Sequence, residues 1–165
     1  MIAKILLGCA VFALAVAVTP AQMKSEISGT CAKADVEQSV PAGDSPAHMF
    51  TVAQGKCTPK GEIAGQTSKS GAYSEHRDVN TSRMKAWGVY IETYDSGDTV
   101  AYSYQLSLAV KNGVPGAGKG TYQIMSGTGK MKGIKGSGTC MYSPGADAGV
   151  NYTCTGDYTP AAATK

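Results

Sequence analysis

Side chains able to do chemistry are few in this 165-residue sequence, and they do not cluster. Two histidines cannot build a three-histidine metal site. His76, with Glu75 beside it and Asp78 two residues on, has the right neighbours for a metal ligand or a general base. Its surroundings are polar and His48 is 28 residues away, so a solvated surface is the preferred reading. Gly113-x4-Gly118-Lys119-Gly120 approaches a phosphate-binding loop, but Gly120 stands where Ser or Thr must meet magnesium, and no helix signal follows. Gly127-Thr128-Gly129 reads as a turn rather than a dinucleotide fingerprint. Gly136-Ser137-Gly138 lacks the outer spacing of a nucleophile elbow. No catalytic residue, metal ligand or cofactor site is therefore assigned.

What remains is aromatic. Trp87, Tyr102, Tyr104 and Tyr122 are the candidate ligand-binding set, able to hold an apolar or aromatic small molecule with tyrosine hydroxyls orienting it. The competing reading is that they fill a core. Glu92 falls on the opposite strand face from Trp87, so it would enter the interior only if the faces assigned below were reversed.

These residues must be positioned by strands. From Thr99 to Val110 the even positions Val100, Tyr102, Tyr104, Leu106, Leu108 and Val110 are large and apolar or aromatic, and the odd ones are small or polar. That strict alternation is a strand buried on one face. Upstream, Trp87, Val89, Ile91 and Thr93 alternate with Gly88, Tyr90, Glu92 and Tyr94, and Asp95-Ser96-Gly97-Asp98 is a turn signal. A two-residue Ser96-Gly97 loop would set Trp87 opposite Leu106, Val89 opposite Tyr104 and Ile91 opposite Tyr102. Further strands are expected over Glu26–Ala34, His48–Lys56, Gly61–Thr67, Gly120–Met125, Met131–Tyr142 and Val150–Tyr158. Residues 68–84, rich in Ser and charge, read as an exposed loop, and Lys111–Gly118 as a loop of breakers. Seven or eight strands with little helix signal imply an all-β antiparallel sandwich or barrel. Glycines inside the strands favour a closed, eight-stranded barrel.

The N-terminus points to export. Met1–Lys4 is a short positive start, Ile5–Val18 is a run of 14 apolar or Gly residues, and small residues follow to Ala21. That is the layout of a cleaved signal peptide over residues 1–21, too short to span a bilayer comfortably, ahead of a single domain over 22–165. Leu6-Leu7-Gly8-Cys9 spells a lipobox, but Cys9 lies inside the apolar run, so lipidation is disfavoured. The remaining Cys31, Cys57, Cys140 and Cys154 make an even set with three possible pairings, as an exported protein would use for two disulfides. A hairpin centred on Asp147 sets Cys140 opposite Cys154, leaving Cys31 with Cys57. Periplasmic or secreted localisation follows as an expectation. Net charge is only +3, too little to grip nucleic acid, and no later stretch is apolar enough for stable membrane insertion. Lys111, Lys119, Lys130, Lys132 and Lys135 carry no acid among them and read as solvated lysines guarding strand edges.

The stretch Gly118-Lys-Gly-Thr-Tyr-Gln-Ile-Met-Ser-Gly-Thr-Gly-Lys-Met-Lys-Gly-Ile-Lys-Gly-Ser-Gly138 resembles the allene oxide cyclase and dirigent-like β-barrel superfamily, where a strand leads into Gly-Gly-Thr-Gly-Lys-Phe. Ser126 stands for the first Gly and Met131 for the Phe. Trp87–Asp98 is similar to exported bacterial proteins of unknown function in that barrel group. The resemblance covers about residues 86–140. It implies an eight-stranded antiparallel barrel with an apolar cavity, often a homotrimer, whose plant members cyclise fatty-acid epoxides or steer phenol coupling. No cyclase catalytic residue is matched here. The reading that follows is an exported, disulfide-stabilised barrel that binds a small apolar or phenolic ligand, or serves a structural envelope role, without cofactor or turnover. The alternative is an isomerase or cyclase acting on a hydrophobic substrate in the cavity.

Overall fold

The computed structural model describes residues 21–160. The expected signal segment up to residue 20, with Cys9, lies outside the described residues. The strands are β1 (Met23–Cys31), β2 (Val36–Pro41), β3 (Met49–Ile63), β4 (Gln66–Val79), β5 (Arg83–Tyr94), β6 (Thr99–Lys111), β7 (Val114–Gly127), β8 (Lys135–Pro144) and β9 (Val150–Thr159). Every pairing is antiparallel. The sheet runs β1-β9-β8-β7-β6-β5-β4-β3, and β1 pairs with β3 from Ile27↔Gly61 to Cys31↔Cys57, closing an eight-stranded barrel. β2 is an extra strand that continues along β3 past that seam, from Val36↔Gln54 to Pro41↔Met49.

Turn chemistry sets the registers. Ala64-Gly65 and Asn112-Gly113 both have φ > 0 (51° and 72°, 52° and 76°), the requirement of the two-residue hairpin loop whose twist suits flanking strands. The first lies within the strand expected over Gly61–Thr67; the second shrinks the loop expected at Lys111–Gly118 to two residues.

The β5–β6 hairpin differs from expectation by one residue. Trp87 pairs with Gln105, Tyr90 with Tyr102 and Glu92 with Val100. Asp95-Ser96-Gly97 forms a three-residue loop in which Gly97 takes the left-handed conformation (φ 84°) and Tyr94 exchanges backbone bonds with Gly97 and Asp98. The match of Trp87, Val89 and Ile91 with the apolar face of β6 favours the other register. However, β5 also carries Tyr90 and Tyr94 on its second face, and the glycine at the third loop position decides between them. Tyr90, Glu92 and Tyr94 consequently face inward, while Trp87 and Ile91 face solvent. β6 keeps its expected faces.

Residues 68–84, expected as a loop, are most of β4 and the start of β5. Their alternation is real but polar: Gly71, Tyr73, Glu75 and Arg77 point inward, where Glu75 and Arg77 neutralise each other. Glycine makes room for the tyrosines inside. Gly29, Gly55 and Gly138 sit directly opposite Tyr152, Tyr73 and Tyr122, and a Cβ on any of them would come within 2.6–2.7 Å of the facing ring or its hydroxyl.

One end of the barrel is plugged. Thr128 N–H donates to the Thr99 carbonyl (2.9 Å) and Lys130 N–H to Asp98 (3.1 Å). A Cβ on Gly129 (φ 49°) would collide with that Asp98 carboxylate. The Ser126–Lys130 turn therefore folds across the barrel end and delivers Met131 and Ile134, which pack with Ile63, Tyr94, Val100 and Tyr158. β8 accordingly begins at Lys135 rather than Met131.

Candidate functional site

Above this plug the inward faces enclose a cavity of about 410 Å³, within the size range of small-molecule sites. Its mouth is ringed by Lys33 and Ala34 after β1, the β4 and β5 ends Val79 and Met84, Pro115, and Val150. The walls are tyrosine. β4 contributes Tyr73, β5 Tyr90, β6 Tyr102 and Tyr104, β7 Tyr122, β8 Tyr142 and β9 Tyr152. Tyr102 packs edge-on against Tyr122 (centroids 5.7 Å) and tilted against Tyr90 (5.9 Å). Tyr94 and Tyr102 hydroxyls are hydrogen-bonded at 2.9 Å, and those of Tyr90 and Tyr152 at 3.3 Å. Burial pushes the Tyr90, Tyr94, Tyr102, Tyr104 and Tyr142 phenols far above their ordinary range and Tyr152 up to about 12. All are neutral hydrogen-bonding groups at working pH.

Two buried glutamates share the cavity. Glu75, towards the mouth, accepts from Arg77 Nε (2.6 Å) and from the Tyr104 hydroxyl (2.5 Å), while Arg77 Nη1 donates to Glu37 (3.0 Å). Glu92, near the floor, is 1% exposed and accepts from the Ser68 hydroxyl. A β-bulge at Ser68/Ser70 turns that serine onto it. Burial raises the Glu92 carboxyl to about 7, against the opposing pull of hydrogen bonds from Ser68 and Tyr94. A carboxyl poised there can exchange a proton near neutral pH.

Of the expected set, Tyr102, Tyr104 and Tyr122 converge on the cavity. Trp87 does not: the one-residue register shift puts it on the outer face, 48% exposed and stacked on His76 (5.8 Å, 18°). His76 is likewise outside, and its sequence neighbours diverge. Glu75 turns inward, and Asp78 accepts from His48 (2.9 Å), whose other ring nitrogen meets Asp44 (2.7 Å). Among the described residues no three His, Cys, Asp or Glu side chains are placed to hold a metal. The five lysines from 111 to 135 are all exposed. Cys31–Cys57 and Cys140–Cys154 are the bonded pairs, each joining directly opposed residues whose side chains line the cavity.

Arg77, Tyr73, Tyr90, Tyr142 and Tyr152 were not picked out from the sequence. Glu75 entered only as a neighbour of His76, and Glu92 only as interior if the strand faces were reversed, which is what β5 does. A signal for two of them was present: Tyr142 and Tyr152 lie two residues from Cys140 and Cys154, and strand periodicity places them on the same face as those cysteines. Glu92 carried no such signal, because only the register brings it inside.

No protein-family model matches the chain, and no curated protein matches it. Among solved structures, the barrel is similar to that of the pterocarpan synthase dirigent protein, with 11% sequence identity over 90% of this chain and 98% of that one, at a TM-score of 0.44.

Proposed function

We propose that the protein binds a small apolar or phenolic molecule in the barrel interior, in the periplasm or after secretion. The observation that carries this reading is the tyrosine-lined cavity of about 410 Å³, which the core-packing alternative would have filled. Aromatic walls supply contact area, and neutral hydroxyls such as Tyr142 supply orientation. The two disulfides support an oxidising compartment. Native mass spectrometry of protein purified from its own source is expected to show a co-purifying small molecule. Its repeated absence, together with no thermal shift across a panel of hydrophobic and phenolic compounds, would overturn the reading.

A second reading, an isomerase or cyclase, is favoured by one observation: Glu92 lies inside the cavity with a carboxyl able to give or take a proton near pH 7. Its test is the exchange of α-hydrogens of a hydrophobic cyclic ketone in D2O. Acceleration by the wild type that disappears in Glu92→Gln supports turnover; no acceleration by the wild type counts against it.

A further inference from the structure

The two glutamates in the cavity differ in what answers their charge. Glu75 has Arg77 against it, and Arg77 also holds Glu37. Glu92 has no basic side chain within ion-pair distance among the described residues. The titratable groups facing it are phenols from three strands: Tyr90 and Tyr94 on its own β5, Tyr102 on β6 and Tyr152 on β9. Ser68 on β4 donates its hydroxyl, and the plug beneath adds the apolar Met131 and Ile134 with Tyr158, whose hydroxyl accepts from the Ala64 N–H. The tyrosines being neutral, the charged lining comprises the basic Lys33 and Arg77 against the acidic Glu37, Glu75 and Glu92, so the cavity carries an acidic excess when Glu92 is ionised.

A buried carboxylate without a counter-ion is costly, and the β5 register fixes Glu92 on the inner face, where a cation entering the cavity would answer its charge. Tyrosine rings also present negative faces that attract a cation stripped of water. On these grounds, we infer that the cavity takes a lipophilic organic cation, an amine or quaternary ammonium with an apolar body, whose charged head sits against the Glu92 carboxylate among the tyrosines. Arg77 does not oppose it, being neutralised by two carboxylates. An anionic ligand would meet the acidic excess instead. This inference rests on the binding reading above and specifies its ligand class.

The test compares benzyltrimethylammonium with neopentylbenzene, its neutral carbon analogue of the same shape, each titrated by NMR into the intact protein at pH 8 and pH 5.5. The cation is expected to bind at least about tenfold more tightly than the analogue at pH 8. Because Glu92 must be ionised to hold the cation, that preference is expected to fall about tenfold at pH 5.5, below its carboxyl's value of about 7. Glu92→Gln, checked for folding by its melting temperature, is expected to remove both the preference and its pH dependence. Equal binding of the two probes at both pH values would overturn the cation inference and leave the binding reading standing. Cation preference surviving in Glu92→Gln would also overturn it, by removing its counter-ion. Binding of neither probe, with no thermal shift from the hydrophobic panel, would overturn both.

Discussion

At the mouth, Glu75 is held by Arg77 and Tyr104, Arg77 reaches on to Glu37, and two disulfides tie neighbouring strands around open space. At the floor, Met131, Ile134, Ile63 and Val100 pack into a plug, and Glu92 has hydroxyl partners but no basic one among the described residues. A cavity removes the side-chain contacts that would otherwise hold the walls, so the mouth half is linked by charge and covalent bonds. The floor half is held by packing, and can keep an unanswered carboxyl because its packing does not depend on it. A barrel with a cavity thus divides its labour along its axis.

The largest effect that would sharpen this contrast lies in the plug. Met131 is 1% exposed, and Met131→Ala leaves a void that the Gly129 turn cannot collapse into, because the turn is pinned to Asp98. The expected loss is about 3–4 kcal/mol, read by urea unfolding. A loss under about 1 kcal/mol would show that the floor is not held by packing.

At the mouth, Arg77→Met should cost about 3 kcal/mol, because it strands Glu75 as a buried charge. The double variant Glu75→Gln/Arg77→Met is expected to recover most of that loss, which a double-mutant cycle measures. If the double variant is as unstable as the single, the cost lies in packing and not in charge.

The floor glutamate should behave in the opposite sense. Its carboxyl titrates near 7 folded, against 4.5 for an exposed glutamate, so between those values the folded state holds more protons than the unfolded one. Stability therefore falls as pH rises from 4.5 to 7 and levels off above, by about 3 kcal/mol from this group. Urea unfolding from pH 5 to 8 should show that slope in the wild type and a flatter one in Glu92→Gln. The variant should also be the more stable protein at pH 8. His48, raised by its bonds to Asp44 and Asp78, also loses stabilisation as pH rises through its folded value, and it contributes equally in both proteins.

The same contrast explains what was legible in the sequence. β6 was readable residue by residue, since its inner face is apolar and its outer face polar from Val100 to Leu108. So were the disulfides, because a hairpin of turn formers set Cys140 opposite Cys154. β4 was not, because its inward Glu75 and Arg77 mimic a solvated loop until their partners are known. The walls of a polar-lined cavity lose the hydrophobic signal on which strand patterns rest, and so the site was harder to read than the fold. On β5 the pattern favoured Trp87, Val89 and Ile91 as the inner face. The true inner face, with Glu92 between Tyr90 and Tyr94, depended on one residue of loop length.

That register can be tested at Trp87, where the smallest effect is expected. Trp87 is the only tryptophan in the sequence, so its fluorescence reports one position. On the outer face it should emit as a water-exposed indole and be quenched freely by iodide, with or without benzyltrimethylammonium in the cavity. Trp87→Ala removes only its stacking on His76, worth about 0.5–1 kcal/mol of stability, and should leave binding to the cavity within about twofold. In the register that sequence pattern favoured, Trp87 would line the interior. Emission would then be blue-shifted, bound ligand would shield it from iodide, and truncation would cost about tenfold in affinity. Shielding by ligand would turn β5 over, take Glu92 out of the cavity, and remove the difference between mouth and floor that the other variants probe.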